Sequence, residues 1–288
     1  MGHGPTLSIL TPGQIEAGAQ RVRALMAGTG PLGVAYSGGV DSTVLLALAV
    51  QALGADDVVA ILGISPSLAA DERTAAHEVA DVIGARVVEV HTHEGENPDY
   101  QRNDVDRCFF CKDELFNRIS DEVVAEQGLV SVAYGENADD AKRPDRPGAQ
   151  AATNHRVLRP LAEAGVDKAM VRAIARSLGL PNADKPAAPC LASRIPHHQE
   201  VTPAKLGQVE TVEAGLRRLG FTDSRVRHHG EIARLELLAE DIPRAAQPGL
   251  REQIQELVTG AGFAFAAVDL KGIQSGAFTM ALVEGRGA

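Results

Sequence analysis

Six consecutive residues at positions 37–42 are small, hydroxylated or acidic, and they read Ser-Gly-Gly-Val-Asp-Ser. The glycines allow another group to approach the backbone closely, and the serines add hydroxyl donors. If a helix begins here, its unpaired N–H groups and its dipole favour an anion such as phosphate. The acidic residue is placed to orient a loop amide or to meet a metal ion. The residues of this anion loop are Ser37, Gly38, Gly39, Val40, Asp41 and Ser42. The alternative is a strand–turn–helix connection without a ligand.

The three cysteines of the chain are a second set of residues that could do chemistry. Cys108 and Cys111 make a C-x-x-C pair, and Cys190 lies in a Pro-rich segment. We expect the pair to precede a helix that begins near Lys112. Three thiolates suit a [4Fe–4S] cluster that keeps one iron open. A zinc site would need a fourth protein ligand. The candidates for that ligand are His91, His93 and His155. A redox disulfide for the pair, and a small buried residue for Cys190, are the other interpretations.

Alternating strands and helices would position the anion loop. Apolar runs predict strands at 32–36, 58–64, 86–91 and 129–134, and helices at 11–26, 42–53, 71–84, 112–127 and 167–178. Such alternation favours a parallel α/β sheet covered on both faces. Ligands of these sheets lie beyond the carboxyl ends of the strands. Ser37, Ser65 and Gly135 each follow a predicted strand, so we expect them to converge on one nucleotide-sized ligand.

The rest of the chain predicts a lid-like loop and a second domain. Residues 137–158 are polar and indicate a long loop with about one helical turn. The Pro-rich segment 185–196 can be neither a helix nor a central strand. We place the domain boundary just after it, with an α/β domain at 1–198 and a smaller α+β domain at 199–288. The elements expected in the smaller domain are helices at 205–219 and 250–259 and strands at 225–229, 232–238 and 263–270.

Composition narrows the class of protein. Hydrophobic residues make up 44% of the 288 residues and aromatic residues only 3%, so the core must be aliphatic. The net charge of −10 argues against non-specific nucleic-acid binding, which needs clustered Lys and Arg. No apolar run is long enough for a bilayer, and residues 1–5 lack a signal-peptide pattern. An odd number of cysteines argues against a disulfide framework. We therefore expect a cytoplasmic protein that binds neither nucleic acid nor membrane.

The complete Ser-Gly-Gly-Val-Asp-Ser string is more specific than its glycines alone. It resembles the signature of the PP-loop ATP pyrophosphatases, the adenine nucleotide α-hydrolase-like superfamily. It is not a Walker A loop, because no Gly-Lys-Ser/Thr follows the glycines. The resemblance implies that the loop binds pyrophosphate and that ATP is split between its α and β phosphates. The product would be an adenylylated substrate.

Further motifs follow the anion loop in a fixed order. They are Cys108–Cys111, Gly135–Asn137 with Asp139 and Asp140, Arg146–Gly148, Pro189–Arg194, Arg225–Gly230 and Asp269–Leu270. Together they resemble the LarE family, over almost the whole chain. LarE proteins are ATP-dependent sulfur transferases that help to make the nickel-pincer cofactor of lactate racemase. The resemblance implies adenylylation of a carboxylate on a pyridinium-3,5-biscarboxylate mononucleotide, release of pyrophosphate, and displacement of AMP by sulfur to give a thiocarboxylate.

The LarE family obtains the sulfur in two ways. In one, the cysteine matching Cys190 gives up its own sulfur and becomes dehydroalanine, so each enzyme turns over once. In the other, that cysteine joins a C-x-x-C pair to hold a [4Fe–4S] cluster, and sulfur arrives on the open iron. Because Cys108 and Cys111 accompany Cys190, we expect the cluster type, with the sacrificial type as the alternative. The implied cofactors are ATP, Mg²⁺ and the cluster. The implied partners are the small-molecule pyridinium mononucleotide and a sulfur donor, and we also expect a homo-oligomer.

Some site residues rest on the resemblance alone. Glu213 and Arg225 resemble family positions for metal and substrate phosphate; the alternatives are a solvated helix face and a strand-end charge. Ser193 and Arg194 would bind a phosphate or a carboxylate. The alternative is that they form a hydrogen bond within the loop. The catalytic candidates are thus Cys190, Cys108, Cys111, Asp41, Glu213 and Arg225. One departure from the family pattern is Gln274. Relatives commonly carry an Arg at this position that contacts a phosphate, and Gln274 puts this contact in question. Lys271 is a possible substitute.

Three rival functions come from other classes. A tRNA thiolase of the same superfamily would need a basic face or an added RNA-binding domain, and the net charge of −10 counts against it. An amide-forming synthetase that uses ammonia needs no cysteine trio. A non-catalytic nucleotide-binding module would leave the coherent cysteine set unexplained.

Overall fold

The computed structural model describes residues 10–142, 147–186 and 188–273. The strands are β1 (Leu32–Ala35), β2 (Val58–Ile64), β3 (Arg86–His91), β4 (Ser131–Tyr134), β5 (Ser224–His229), β6 (Ile232–Leu237) and β7 (Phe265–Val268). The α-helices are α1 (Pro12–Met26), α2 (Val40–Leu53), α3 (Ala70–Ile83), α4 (Pro98–Gln101), α5 (Arg107–Arg118), α6 (Val124–Gln127), α7 (Ala138–Ala141), α8 (Pro147–Asn154), α9 (Pro160–Glu163), α10 (Lys168–Ser177), α11 (Pro203–Arg218), α12 (Ile242–Ala245) and α13 (Leu250–Gly260).

The chain divides into two compact units. The first contains the described residues of 1–64, 72–92 and 111–188, and the second those of 65–71, 93–110 and 189–288. The second unit therefore includes two segments that come before residue 188. The domain boundary after residue 198 stays a prediction.

The first unit is built on a parallel four-stranded sheet in the order β3-β2-β1-β4. The chain runs outward from β1 to β2 and β3 on one side, and then returns to place β4 on the other side of β1. Such a reversal of strand order opens a crevice beyond the carboxyl end of the central strand, where ligands bind to α/β sheets. The anion loop follows β1 at this point. The predicted α/β fold with a parallel sheet is confirmed.

Helix α2 is the buried centre of this unit. Its residues from Ser42 to Ala49 are all buried, so the helix has no polar face toward solvent along that length. An evenly apolar helix of this kind is stable only when other elements cover it, and α1 and α10 pack against it. The start of α2 is therefore held by the core rather than by a surface loop.

Two local predictions were wrong. The helix predicted from Lys112 begins five residues earlier, at Arg107. The segment 137–158, predicted as a loop with about one turn, contains α7 and the two-turn helix α8. Pro147 stands at the start of α8, where a missing N–H costs nothing. Ala151 and Ala152 are fully buried in α8, which gives it a core-facing side.

The second unit contains a three-stranded sheet in the order β5-β6-β7, in which β5 and β6 are antiparallel and β6 and β7 are parallel. Helix α11 packs against β5 and α13. Gly215 allows the close approach of the two helices, because a Cβ there would lie 2.4 Å from Leu257. In the part of the chain that the structure describes, no helix is long and apolar enough to cross a bilayer.

Candidate active site

The anion loop connects β1 directly to the N-terminus of α2. Gly38 has a φ of +69°, and a Cβ there would lie 2.9 Å from the Ala76 Cβ, so both backbone and space require glycine. Gly39 is the N-cap residue and has no side chain to bond the first N–H groups of α2. Those groups lack intrahelical partners in any α-helix, and the dipole adds positive charge beside them. The loop is thus suited to a phosphate.

The serines at the two ends of the loop face each other. The Ser37 and Ser42 Oγ atoms are 3.3 Å apart, and the Ser37 N–H donates to Ser42 Oγ at 3.2 Å. Ser42 Oγ in turn donates to the Gly39 carbonyl at 3.0 Å. Ser37 is exposed and Ser42 is buried. Ser37 is therefore the hydroxyl that a ligand can reach, and Ser42 fixes the loop.

Asp41 is held from two other elements of the first unit. Lys168 Nζ lies 2.5 Å from Asp41 Oδ2, and Asn137 Nδ2 donates to Asp41 Oδ1 at 3.1 Å. Asn137 Nδ2 also donates to Asp140 Oδ2 at 2.9 Å. One amide thus brings two carboxylates together beside the loop. The sequence did not predict that Lys168 pairs with Asp41, because no local pattern links the two residues.

Gly135 lies directly against the start of α2. A Cβ on Gly135 would lie 2.7 Å from the Ser42 backbone nitrogen. The structure thus brings Gly135 and the anion loop together, while Ser65 follows β2 in the chain and belongs to the second unit. Asn182 is a further residue that sequence reasoning missed. Its buried Nδ2 donates to the Gly38 carbonyl and lies 2.8 Å from Thr43 Oγ1.

The cysteines are all free thiols; Cys108 and Cys190 are exposed and Cys111 is half-buried. Cys108 and Cys111 lie three residues apart in the first two turns of α5, rather than ahead of it, and such residues share one side of a helix. Cys190 is the N-cap residue of a 3₁₀ turn at Leu191–Arg194. Among the described residues, no three His, Cys, Asp or Glu side chains are grouped closely enough to hold a metal ion. Of the zinc candidates, His155 Nε2 instead lies 2.8 Å from Asp113 Oδ1.

Arg194 and Glu213 form a buried ion pair in the second unit. Arg194 Nε donates to Glu213 Oε1 at 2.9 Å, and Nη2 donates to Oε2 at 3.2 Å. Arg194 Nη1 also donates to the Pro189 carbonyl at 2.7 Å and to Ser193 Oγ at 2.9 Å. Glu213 is 4% exposed, so the alternative of a solvated helix face is wrong. The pair is thus tied to the Pro189 backbone before Cys190 and to the Ser193 side chain after it.

Two further arginines surround that pair. Arg227 Nη2 donates to Glu236 Oε2 at 2.9 Å, and Nη1 donates to the Ser193 carbonyl at 3.0 Å. Arg225 is buried, and burial together with the charges of Arg194 and Arg227 holds the pKa of its guanidinium below its ordinary value. Burial is the largest cause of this pKa shift and the like charges of Arg194 and Arg227 add to it, so an anion beside Arg225 would stabilise its charge. The arrangement is therefore suited to a phosphate or a carboxylate. Gln274 and Arg146 lie outside the described residues.

Comparisons with known proteins agree with these features. A family model described as asparagine synthase matches residues 17–121, which include the anion loop and the C-x-x-C pair. An uncharacterised protein of Synechocystis sp. is 41% identical over 87% of this chain and 92% of its own length. The pyridinium-3,5-bisthiocarboxylic acid mononucleotide synthase of Lactiplantibacillus plantarum is 34% identical over 84% of this chain and 87% of its own length. An uncharacterised protein of Methanocaldococcus jannaschii is 26% identical over 59% of this chain. With that identity and coverage, the chain belongs to the LarE family of PP-loop ATP-dependent sulfur transferases.

Proposed function

We propose that the protein converts a carboxylate of a pyridinium-3,5-biscarboxylate mononucleotide into a thiocarboxylate, at the expense of ATP. The observation that carries the proposal is the presence, in one chain, of a phosphate-suited loop and three free cysteines. The family relation supports the choice of substrate, because the relative from Lactiplantibacillus plantarum is named as the synthase of the bisthiocarboxylic acid mononucleotide.

The first step is adenylylation. A substrate carboxylate oxygen attacks the α-phosphorus of ATP, the bond to the bridging oxygen of the β-phosphate breaks, and pyrophosphate leaves. The N-terminus of α2 and the Ser37 hydroxyl bind the phosphates, because both donate hydrogen bonds toward an anion. Asp41 and Asp140, joined through the Asn137 amide, are the carboxylates that would hold Mg²⁺.

The second step is sulfur transfer. A sulfur nucleophile attacks the acyl carbon, a C–S bond forms, and the C–O bond breaks so that AMP leaves. Arg225 would bind the phosphate of the mononucleotide, since its charge is buried beside two other arginines. The bidentate pair of Arg194 and Glu213 holds the Cys190 loop, which comprises residues 189–194, while the bonds are exchanged.

The three cysteines of this chain are the number of ligands that a [4Fe–4S] cluster with one open iron needs, and Cys108, Cys111 and Cys190 would hold it. Three free thiols, two of them exposed, leave one iron without a protein ligand. When bound, such a cluster supplies an open iron that can carry the sulfur to be transferred. Two cysteines three residues apart at a helix start are a common arrangement for ligands of this kind.

A second candidate is the sacrificial mechanism, in which Cys190 gives up its own sulfur. The exposure of Cys190 at a turn favours it, as does the lack of a preassembled three-ligand group among the described residues. In that mechanism Cys190 Sγ attacks the acyl-adenylate, AMP leaves, and elimination across the Cα–Cβ bond yields dehydroalanine and the thiocarboxylate.

Anaerobic purification with quantification of iron and acid-labile sulfide tests the choice of sulfur source. The cluster proposal predicts about four irons per chain after reconstitution, no mass change at Cys190 after turnover, and repeated turnover when sulfide is supplied. A colourless, iron-free protein whose Cys190 peptide loses the mass of H₂S after one turnover would replace it with the sacrificial mechanism. Release of pyrophosphate that does not depend on the pyridinium substrate would contradict both.

A further inference from the structure

Arg107 is a buried arginine of the second unit that immediately precedes Cys108 in the chain. Only 8% of its surface is exposed. Its Nη1 donates to the Ala192 carbonyl at 3.0 Å, two residues beyond Cys190, and also donates to Asn103 Oδ1. One guanidinium thus connects the start of α5 with the loop that carries Cys190.

Asn103 anchors this arginine from the other side. It is fully buried, and its φ of +58° lies in the left-handed region. Its Nδ2 lies within hydrogen-bond distance of the Ile195, Pro196 and Gln199 carbonyls, at 3.2, 2.8 and 3.1 Å. The amide therefore holds the segment that follows the Cys190 turn, while its oxygen orients Arg107.

Arg107 precedes Cys108 directly in the chain and bonds the backbone two residues beyond Cys190, so its charge lies near both cysteines. Burial acts to lower the pKa of its guanidinium, but the negative charges that Cys190, Cys108 and Tyr100 carry when ionised raise it, and the net shift is upward. In contrast with Arg194, which Glu213 neutralises, Arg107 donates to two uncharged oxygens, the Asn103 amide oxygen and the Ala192 carbonyl. These acceptors do not neutralise the guanidinium, so its positive charge acts on the neighbouring cysteines.

We propose that Arg107, anchored by Asn103 and the Ala192 carbonyl, is a positioning residue that holds the Cys190 loop against the start of α5 and presents a positive charge to anionic sulfur at Cys108 and Cys190. This inference rests on the proposed function, because sulfur transfer is the reaction it serves. A positive charge at this place attracts an anionic group bound at the sulfurs, such as sulfide or a thiolate-ligated cluster.

The charge can be tested in the reduced, cluster-free full-length chain with two alkylating reagents. Iodoacetate is anionic and iodoacetamide is neutral, and both react with the same thiolate. The ratio of their rates at one cysteine therefore reports the local potential and cancels the ionised fraction. Peptide mass spectrometry gives the ratio separately at Cys108 and Cys190.

We expect the Arg107→Met change to lower the iodoacetate-to-iodoacetamide ratio at both cysteines by roughly three- to tenfold, as expected for one unit charge a few ångströms away in a hydrated site. Arg107→Lys keeps the charge and should keep most of the ratio. Arg102→Met, next in the chain to Asn103 but with an exposed side chain paired with Asp99, is the matched control and should change nothing. Equal losses in the Met and Lys variants, or none in the Met variant, would overturn the charge assignment.

A second experiment tests whether Asn103 anchors the segment that follows Cys190. It also applies if the Arg107→Met protein does not fold. Asn103→Gly retains the positive φ without strain and removes the whole side chain, including the carboxamide that bonds the three carbonyls and Arg107. We expect faster hydrogen exchange at the amides of residues 192–195 and 197–199, and unchanged exchange there would contradict the anchor. Iron quantification in the wild-type protein separates the two proposals. Failure to bind iron counts against the cluster, whereas the alkylation ratios decide the role of Arg107 either way.

Discussion

The Arg194 guanidinium and the Glu213 carboxylate meet side by side through two parallel hydrogen bonds of 2.9 and 3.2 Å. Both residues are almost fully buried, and Glu213 Oε1 also accepts the Val226 N–H at 2.9 Å. The pair thus joins α11, β5 and the turn after Cys190. Because a buried ion pair leaves an uncompensated charge when one partner is lost, its removal should be costly.

We therefore expect Glu213→Ala to lower the free energy of unfolding by about 3–5 kcal/mol. Glu213→Gln should be less damaging, because it can still accept the Val226 N–H, although it leaves the Arg194 charge unpaired. Denaturant-induced unfolding followed by circular dichroism measures both. Glu256→Gln, at an exposed position on α13, is the control. A Glu213→Ala protein as stable as this control would show that the pair does not support the turn.

Lys168 should matter for catalysis rather than for stability. Its ion pair with Asp41 is partly exposed, with 38% of the Lys168 side chain accessible, and such pairs contribute at most about 1 kcal/mol. Lys168→Met should leave the melting temperature nearly unchanged and slow substrate-dependent pyrophosphate release about tenfold, or ~1.4 kcal/mol in the barrier. Lys142→Met, at a position 76% exposed, should have wild-type rates. Equal rates in both variants would exclude a role for Lys168.

Gly135 should tolerate no side chain. Its Cβ would meet backbone atoms of Asp41 and Ser42 at 2.7–2.9 Å, and backbone cannot rotate away as a side chain can. Gly135→Ala should therefore cost about 1–3 kcal/mol of stability and weaken nucleotide binding, measured by calorimetric titration with a non-hydrolysable ATP analogue. Gly13→Ala in α1 has nothing within 4 Å of the new Cβ and should be neutral or slightly stabilising. Wild-type affinity in Gly135→Ala would contradict the close approach.

Much of the first unit was predictable because its signals are local. The bounds of β2 and β3 agree with the predicted residues 58–64 and 86–91. Short apolar runs between turn residues report burial directly. The start of α5 was not predicted because its first turn is polar and aromatic and has no apolar periodicity. Backbone carbonyls of two preceding aspartates accept hydrogen bonds from this turn. The Arg107 and Phe109 N–H groups donate to the Asp104 and Asp106 carbonyls.

The contacts of the candidate site were harder to predict than its motifs. The string at 37–42 indicates a loop for an anion, yet its shape depends on Asn182, which lies 144 residues from Gly38 and bonds its carbonyl. Lys168 is likewise 127 residues from Asp41. Neither residue has a neighbour in sequence that marks it, since a long-range hydrogen bond leaves no periodic pattern. Glu213 is a further example, because its position on a helix does not reveal that it is buried and paired with Arg194.

Tyr36, the residue before the anion loop, gives a test at alkaline pH. Its hydroxyl donates to the Ala76 carbonyl at 3.0 Å, and burial raises the pKa of Tyr36 to about 12 from 10.0, although Thr43 acts to lower it. The folded state thus holds this proton more tightly than the unfolded state does. The contribution is complete below pH 10 and is lost as the pH rises from 10 toward 12.

Tyr36→Phe should cost about 1 kcal/mol at pH 7 through the lost hydrogen bond. It should also show a shallower loss of stability than wild type between pH 10 and 12. Urea unfolding at several pH values measures the two slopes. Parallel slopes in the two proteins would mean that Tyr36 titrates alike in the folded and unfolded chain.

The two sulfur mechanisms assign different roles to Cys108, and this gives the most decisive substitution. Cys190→Ser should abolish thiocarboxylate formation in either mechanism, since the residue supplies a ligand or the sulfur itself. Cys108→Ser should abolish transfer only if a cluster is needed, because the sacrificial reaction uses Cys190 alone. Both variants should still release pyrophosphate, as the anion loop is untouched. A Cys108→Ser protein that makes one thiocarboxylate per chain would contradict the cluster, whereas a complete loss with normal pyrophosphate release supports it.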